Sequence, residues 1–296
     1  DALALSKKDS PFPAGCGRVC NKRCEEACTR ATLDEAVAID DVKRFIAQKD
    51  LDSKTRYIPK KVIPSNRGEF KNKIAIIGGG PAGLSCAYYL ALTGYRPIVF
   101  EKNEKPGGML TYGIPSYKLE KDVVEAEIDI IRALGVEIKC GVEVGKDITL
   151  DELRKDGYEA FYIAIGCQGS RKSGVDGEDA DGVKSAVDIL HEIAENHDLD
   201  LKGNKTVVIG GGNVAVDVAR STKRCGADIL GMFCLESREE MPASEEEIFE
   251  TEDEGIQINN GWGVKEILTQ NGKVTGVVLK KCTSVKDADS KFNPQY

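Results

Sequence analysis

The chain has 296 residues, a formal net charge of −8 and 41% hydrophobic residues. This length and apolar content predict two domains with buried cores, and the acidic balance presents no basic face to nucleic acid or anionic lipid. We recognise no signal peptide and no credible membrane span. Four of the 10 cysteines lie between residues 16 and 28, a pattern that suits a reducing cytoplasm and a metal or cluster site. We therefore expect a cytoplasmic protein that binds neither nucleic acid nor a membrane.

Residues 1–57 predict a small helical domain rich in cysteine. Cys16, Cys20, Cys24 and Cys28 stand at every fourth position. Disulfides and zinc are alternatives, but structural zinc sites more often pair CxxC half-sites, which favours an iron–sulfur cluster. All four thiolates need not bind the same cluster. A helix over 33–48 is expected next, with apolar positions that pack the cysteine loops against the following domain.

A linker over 58–70 leads to the first predicted nucleotide-binding domain, residues 71–170. A short apolar strand ends at Gly78-x-Gly80-x-x-Gly83, a helix follows to Leu92, and a second strand ends in Glu101. The glycines allow a tight turn, close approach of backbone to a pyrophosphate and helix–strand packing, and the acid can accept hydrogen bonds from the ribose hydroxyls. This order of features predicts a dinucleotide site.

The same order of features returns in residues 171–296, which we predict to be a second nucleotide-binding domain. The turn is Gly210-x-Gly212-x-x-Ala215, with alanine at the third position, and the following strand ends in Glu236. A duplication with only one working site is the alternative interpretation. Two dinucleotide sites are most useful when one cofactor passes a hydride to the other, and flavin and nicotinamide are the natural pair.

That chemistry needs no acid–base pair from the protein, so we predict no catalytic side chain. The only histidines, His191 and His197, lie in a polar stretch and are interpreted as surface residues. The cysteine-rich segment then fits as an outlet for single electrons.

The chain resembles the glutamate synthase small (beta) subunit and the related N-terminal half of dihydropyrimidine dehydrogenase. The resemblance covers nearly the whole chain. Beside the cysteines and the two glycine turns, it is carried by Gly107-Gly108, Tyr112-Gly-Ile-Pro115, the segment 144–149, Ala164-Ile-Gly166 and Glu240-Met-Pro-Ala243.

This resemblance implies an α/β protein with two Rossmann-like domains, for FAD and NAD(P)H, after a helical Fe–S domain. It implies FAD at the first turn, NADH or NADPH at the second, [4Fe-4S] clusters on the four cysteines and an electron-accepting partner subunit. The predicted FAD residues are Gly78, Gly80, Pro81, Ala82, Gly83, Glu101, Lys102, Gly108, Met109, Val144 and Gly166. The predicted nicotinamide-dinucleotide residues are Gly210, Gly212, Asn213, Val214, Ala215, Asp217, Glu236 and Arg238.

Three departures from the family pattern bear on these expectations. The family has a further cysteine-rich segment upstream and returns to the FAD domain downstream, so we expect the chain to be a fragment that lacks both. Lys43 stands where a Glu or Gln can serve as a cluster ligand. Leu235-Glu236 replaces the paired arginines of NADPH-using members, and Glu236 would repel a 2′-phosphate, which predicts NADH over NADPH. Arg238 and Arg224 are close enough in sequence to weaken that preference.

Other functions stay open at this point. The chain could be the NADH-linked input subunit of a ferredoxin, hydrogenase or formate dehydrogenase-type complex. A disulfide reductase of the thioredoxin reductase kind would need paired redox cysteines, and the cysteines after Cys28 are isolated in sequence. A non-catalytic scaffold that keeps nucleotide folds for structure is the alternative from another class.

Overall fold

The computed structural model describes residues 1–63, 68–170, 172–196 and 198–296. It divides the chain into two compact units, Asp1–Cys167 and Gln168–Tyr296. Residues 64–67 of the predicted linker and the predicted surface residue His197 lie outside the described residues. Within the described ranges, every helix is too short or too polar to cross a membrane.

The first unit begins with short helices that carry the clustered cysteines. In chain order they are α1 (Ala2–Asp9), α2 (Pro13–Val19), α3 (Arg23–Glu26), a 3-10 turn (Thr29–Thr32) and α4 (Ile39–Leu51). The helix expected over 33–48 therefore begins later than predicted. Asp40 and Asp41 lie in its first turn, where negative charge stabilises a helix start.

The predicted apolar face of α4 does not pack as expected. Val42 is 53% exposed and Phe45 is 62% exposed, whereas Ala47 is 2% exposed and faces the core of this unit. The helix itself does pack the cysteine helix on the following domain, since a Cβ on Gly17 of α2 would lie 2.9 Å from Arg44 Cα and Ala47 shares one core with Ile76 of β1. Only the side of the helix that faces inward differs from the prediction, and the buried Asp40 and Asp50 belong to that side.

The rest of the first unit alternates strands and helices. The elements are β1 (Lys73–Ile77), α5 (Pro81–Leu92), β2 (Arg96–Glu101), α6 (Met109–Tyr112), α7 (Lys121–Ala133), β3 (Glu137–Cys140), α8 (Leu150–Lys155) and β4 (Tyr158–Ile163). The strands form one parallel sheet in the order β3-β2-β1-β4. Ile76, Leu84 and Ile128, each 0% exposed, belong to one core shared by strand and helices. The first predicted Rossmann-like sheet is confirmed.

The second unit repeats the arrangement on a smaller scale. Its elements are α9 (Ala186–Glu195), β5 (Lys205–Ile209), α10 (Asn213–Arg224), β6 (Asp228–Cys234), α11 (Glu245–Asp253), β7 (Ile258–Asn260), β8 (Trp262–Gln270), β9 (Lys273–Lys281), β10 (Ser284–Lys286) and β11 (Phe292–Gln295). Strands β5, β6 and β7 form a parallel sheet, and β8 and β9 form an antiparallel hairpin closed at Asn271-Gly272. Both turn residues have positive φ, as a tight hairpin turn requires.

Helix α11 is fastened to α10 by charge. The Arg220 side chain, only 7% exposed, pairs with Glu250, and its Nη2 atom lies 2.7 Å from Glu254 Oε1. A buried guanidinium needs several acceptors, and this row of acids supplies them. The acids of α11 and its end therefore serve packing as well as facing solvent.

Candidate nucleotide-binding sites

The first glycine turn, residues 78–83, joins β1 to α5 and cannot accept side chains at two of its glycines. Gly78 has φ +107°, and a Cβ placed there would lie 2.3 Å from the carbonyl oxygen of Ala164. A Cβ on Gly83 would lie 1.9 Å from the carbonyl oxygen of Gly78. Helix α5 starts at Pro81 with no side-chain cap. Its first N–H groups and its positive dipole end are therefore available to an anion.

A second glycine pair, Gly107-Gly108, covers this turn, and we call it the first cover segment. The Gly107 N–H donates to the Gly79 carbonyl oxygen over 2.7 Å. A Cβ on Gly108 would lie 2.8 Å from Gly80 Cα, and one on Gly80 would lie 3.7 Å from Gly108 Cα. Backbone atoms and the Pro81 ring, whose Cδ would lie 3.6 Å from a Cβ on Gly108, line the space between the two segments. Such a cradle suits a pyrophosphate, which needs N–H donors at close range.

Glu101, the acid at the end of β2, is buried at 5% exposure. Its Oε2 accepts the Gly79 N–H over 2.7 Å, and its Oε1 accepts the Asn103 N–H over 2.9 Å. The carboxylate thus holds the middle of the glycine turn as well as standing beside it.

The remaining residues predicted for the first site are less close together. Met109 begins α6 directly after the cover segment and is 37% exposed. Lys102 is exposed beyond the strand end. Val144 is half-buried in a bridge with Ile148, and Gly166 follows β4 in an exposed, left-handed conformation. Their role in binding stays a prediction.

The second glycine turn, residues 210–215, repeats the backbone plan of the first. Gly210 has φ +139° and Gly212 is the N-cap of α10. The segment Met241-Pro242-Ala243, the second cover segment, lies over it: the Ala243 N–H donates to the Gly211 carbonyl oxygen over 3.1 Å. A Cβ on Gly212 would lie 3.8 Å from Pro242 Cγ. A side chain on Gly212 would therefore reach the cover segment, and its absence lets a phosphate approach the backbone of the turn closely.

The side chains around the second turn have unequal tasks. Asn213 Oδ1 accepts the Ser244 N–H over 3.0 Å, so this predicted cofactor residue fastens the cover segment to α10. Val214 is 52% exposed at the start of α10, while Ala215 and Asp217 are half-buried one turn on. The third position of this turn holds a methyl group, that of Ala215, which would lie 3.1 Å from a Cβ built on Gly210. The corresponding Gly83 of the first turn has no room for a Cβ.

Glu236 lies at the end of the second strand of its unit, as Glu101 does in the first, but within the described residues its carboxylate accepts no hydrogen bond. A Cβ on Gly211 would meet Glu236 Oε2 at 3.0 Å, which places the carboxylate beside the turn. Among the described residues no donor is hydrogen-bonded to this half-buried carboxylate, although the Glu236 carbonyl oxygen accepts the Gly261 N–H. The carboxylate can therefore accept hydrogen bonds from a ligand.

Of the two arginines expected to weaken the preference for NADH, Arg224 is the last residue of α10 and lies at the end of that helix remote from the glycine turn. Both arginines are paired with acids of helix α11 or its end. Arg238 Nη1 lies 3.2 Å from Glu245 Oε2 and its Nε lies 3.9 Å from Glu252 Oε1. Arg224 Nη2 lies 2.6 Å from Glu254 Oε1. Neither guanidinium is left as an uncompensated positive charge for a 2′-phosphate.

The four clustered cysteines occupy successive helix ends rather than one point. Cys16 is in α2, Cys20 ends it, Cys24 is in α3 and Cys28 precedes the 3-10 turn. Within the part of the chain that is described, no three metal-binding side chains come together. Hydrogen bonds from the Val37 and Arg30 backbone N–H groups lower the pKa of the Cys28 thiol. Burial raises the pKa of Cys16, and the Lys43 charge opposes that rise.

Comparison with known proteins identifies the whole arrangement. A family model described as pyridine nucleotide-disulphide oxidoreductase matches residues 72–292, which include both glycine turns and both cover segments. The chain belongs to the pyridine nucleotide-disulphide oxidoreductase family. A second model, described as dihydropyrimidine dehydrogenase domain II, 4Fe-4S cluster, matches residues 1–55. FAD and NAD(P)H are the cofactors of the larger part of this oxidoreductase, and the smaller part is a 4Fe-4S domain.

The predicted resemblance to the glutamate synthase small subunit is confirmed. The chain is 34% identical to the small chain of the NADPH glutamate synthase of Escherichia coli, over 98% of the chain and 63% of that protein. It is 37% identical to the beta subunit of the NADP(+)-dependent formate dehydrogenase of Moorella thermoacetica, over 97% of the chain and 42% of that protein. The chain thus spans less than two thirds of these relatives.

Solved structures agree on the fold. Mycobacterium tuberculosis FprA in complex with NADPH matches with a TM-score of 0.63 and 20% identity, over 76% of the chain and 66% of FprA. At that identity the likeness shows the fold alone.

The residues of this oxidoreductase fit its cofactors unequally. The two cradles, each of which a single Cβ would fill, fit dinucleotides held by backbone. The cysteines fit a cluster in the chemistry of their thiols. They do not converge in the described residues, so no cluster position is derived from them.

Sequence reasoning missed two residues near these sites. Glu127 in α7 is 2% exposed and accepts the Ala14 and Gly15 N–H groups, each over 2.8 Å. Its acid interrupts an apolar stripe that contains Val123 and Ile131, and that interruption was the available signal. Lys121 donates to the Leu110 carbonyl oxygen over 2.9 Å and to that of Ile114. Burial lowers the pKa of Lys121 to about 8.

Proposed function

We propose that the chain is an electron-input module that oxidises NADH, reduces FAD and delivers electrons through its cysteine-rich domain to a partner subunit. One observation carries this proposal: two glycine turns, each with a cover segment hydrogen-bonded to the carbonyl of its middle glycine. Two cradles of one design suit two dinucleotides. The subunit names of the relatives support a partner that accepts the electrons.

The reaction divides between the cofactors and the chain. Nicotinamide supplies a hydride, flavin accepts it and can release its two electrons singly, and clusters carry single electrons. The chain's own task is to bind and orient. The first turn and its cover segment would hold the FAD pyrophosphate, and the second turn would hold that of the nicotinamide dinucleotide. Cys16, Cys20, Cys24 and Cys28 would supply thiolates.

Glu236 supports NADH as the donor. Its unoccupied carboxylate lies beside the second turn, where it would accept hydrogen bonds from a free ribose hydroxyl and repel a 2′-phosphate. Arg238, the arginine nearest to Glu236 in sequence, is paired with an acid of α11 instead. The names of the two relatives contain NADPH or NADP(+), so this preference would set the chain apart from them.

The test is anaerobic reduction of bound flavin, followed by its absorbance, with NADH and separately with NADPH. We expect half-reduction at a lower concentration of NADH. Replacing Glu236 with Gln should reduce the NADH preference about tenfold or more, because a charged hydrogen bond contributes about 1.5–3 kcal/mol. The exposed Glu239→Gln variant, in the same loop, is the matched control and should leave the ratio unchanged. A wild-type protein that prefers NADPH would contradict the specificity, and a protein without flavin bands would contradict the function.

A further inference from the structure

Helix α2, which carries Cys16, has no cap of its own. Phe12 is its N-cap and offers no side-chain hydrogen bond. The N–H groups of Ala14 and Gly15 donate instead to the two carboxylate oxygens of Glu127, 112 residues away from Gly15 in sequence. A negative group at a helix start also meets the positive end of the helix dipole. A buried acid of α7 thus caps the cysteine helix.

A second acid of α7 binds the other end of the same helix. The Arg18 side chain, 5% exposed, lies between Cys16 and Cys20, and its Nε donates to Glu120 Oε2 over 2.6 Å. Glu120 is the N-cap residue of α7, two helical turns before Glu127. Both carboxylates therefore project from one face of α7, one toward each end of α2.

Lys121, the residue after Glu120, binds a different segment of the first unit. Lys121 donates to the carbonyl oxygens of Leu110 and Ile114, in the segment that follows the first cover segment. Thr111 Oγ1 donates to the Pro106 carbonyl oxygen over 2.7 Å and closes this segment on itself. The start of α7 is thus in contact with both the cysteine helix and the segment that follows the first cover segment.

We propose that Glu127 and Glu120 form a two-point clamp that positions the cysteine helix α2 relative to the first glycine turn. The inference rests on the proposed function, because the clamp would fix the distance over which electrons leave the flavin. The two acids are positioning residues and act through α2. A glycine at position 15 agrees with this assignment, because a Cβ there would lie 3.2 Å from Glu127 Oε2 and would crowd the carboxylate.

Hydrogen exchange of the purified full chain tests the clamp without any turnover. In Glu127→Gln one backbone N–H faces an amide NH2 instead of an acceptor. Exchange in the peptide that covers 13–19 should then rise about tenfold or more, while peptides of β1 and α5 keep their protection. Glu120→Gln, at a more exposed position, should raise exchange in the same peptide by a smaller factor and serves if Glu127→Gln fails to fold. Glu125→Gln, an exposed acid of α7 paired with Arg132, is the matched control.

A spectroscopic readout separates positioning from simple stability. Glu127 lies close enough to Cys16 for its charge to act on that thiol. In protein with its iron–sulfur centres, measured above pH 8 so that Glu127 is ionised, Glu127→Gln should shift a midpoint potential upward, because a nearby negative charge disfavours reduction, and Glu125→Gln should not. Unchanged exchange at 13–19 in both variants, or an equal rise throughout the unit, would overturn the clamp. Flavin that NADH cannot reduce would overturn the proposed function and leave the exchange result standing.

Discussion

The two glycine turns share a backbone and differ in what their acids do. In each, a strand enters a turn that starts with a positive-φ glycine, and a cover segment donates an N–H to the middle glycine carbonyl. Glu101 accepts two backbone N–H groups and is buried, whereas the Glu236 carboxylate accepts none within the described residues. The third position is a glycine under severe crowding in one turn and an alanine in the other.

The difference teaches that one sequence pattern can serve two purposes. An acid at the end of the second strand can hold the glycine turn together, contact the ligand, or do both. In the first unit the fold uses the acid, so its loss should affect stability and binding together. In the second unit the acid is left for the ligand, so its loss should affect binding alone.

The largest effect is expected from the third position of the turns. Gly83→Ala places a Cβ 1.9 Å from the Gly78 carbonyl oxygen, and strand and helix must separate. We expect the unfolding free energy of the first unit to fall by about 3 kcal/mol or more, together with loss of flavin.

The reverse change in the second turn, Ala215→Gly, should lower the unfolding free energy of the second unit by about 1 kcal/mol. Urea unfolding followed by hydrogen exchange of β1 and by fluorescence of Trp262, the single tryptophan, reports the two units separately. Equal losses in the two variants would remove the distinction between the turns.

The second-largest effect is a difference between the two units in how their unfolding free energy depends on pH. The ordinary pKa of a glutamate is 4.5, and burial raises the pKa of Glu127 to about 7. The two N–H donors and the positive charges of Lys7 and Arg18 act in the opposite direction and lower it, but burial has the larger effect. Asp50 of α4 and Cys16 of α2 also face this region. Between pH 4.5 and 7 the native first unit therefore keeps a proton that the unfolded chain has released.

The stability from this proton is complete below pH 4.5 and is lost as the pH rises through 7. We expect the difference in unfolding free energy between wild type and Glu127→Gln to change by about 3 kcal/mol across that window. The buried charge of the second unit is the guanidinium of Arg220, which does not titrate there. Its Trp262 transition should thus show no such difference, and a flat difference curve for the first unit would refute the assignment.

A third effect compares the acids directly. Glu101→Gln should cost the first unit about 1–3 kcal/mol, since an amide cannot accept hydrogen bonds at both ends. Glu236→Gln should change the stability of the second unit by less than about 0.5 kcal/mol. Chemical unfolding of each variant measures both quantities. Comparable losses would mean that Glu236 also has a task in the fold.

The smallest effect concerns the charge near Glu236. Glu245→Gln removes the acid 3.2 Å from Arg238 and leaves that guanidinium freer to meet a 2′-phosphate. Affinity for NADPH should rise a few-fold, the size expected for an exposed ion pair of about 0.2–1 kcal/mol. Glu246→Gln, the neighbouring acid, is the control. Flavin reduction at several NADPH concentrations is the measurement, and equal behaviour of the two variants would exclude Arg238 from the site.

Most of the fold could be predicted because its signals are local. A run such as Lys73–Ile77 before clustered glycines specifies strand, turn and helix within one short window, and the same holds at Lys205–Ile209. The family pattern then supplied the cofactors. The domain limits at 57 and 170 and the ligand role of each site residue stay predictions.

The parts that sequence missed depend on distant partners. The helix expected from residue 33 begins at Ile39, and its apolar Val42 and Phe45 face outward, because periodicity cannot tell which side another helix covers. Glu127 stands in an apolar stripe of α7, but the partners that explain its burial come from the start of the chain. Arg238 was predicted to lie at the second site, but the sequence did not reveal the acids of a later helix that pair with it.

The borrowed cap of α2 sets an order on folding during synthesis. The cysteine helix leaves the ribosome early, yet the carboxylate that completes its first turn is 113 residues beyond Ala14. A short helix without its cap is unstable in isolation, so the segment stays open until α7 has been made and has packed. Iron delivered before that moment would meet four reactive thiols on an unfolded tether. We therefore expect loading to be favoured once α7 has been made and has packed on α2, which would place cluster assembly late in the maturation of this unit.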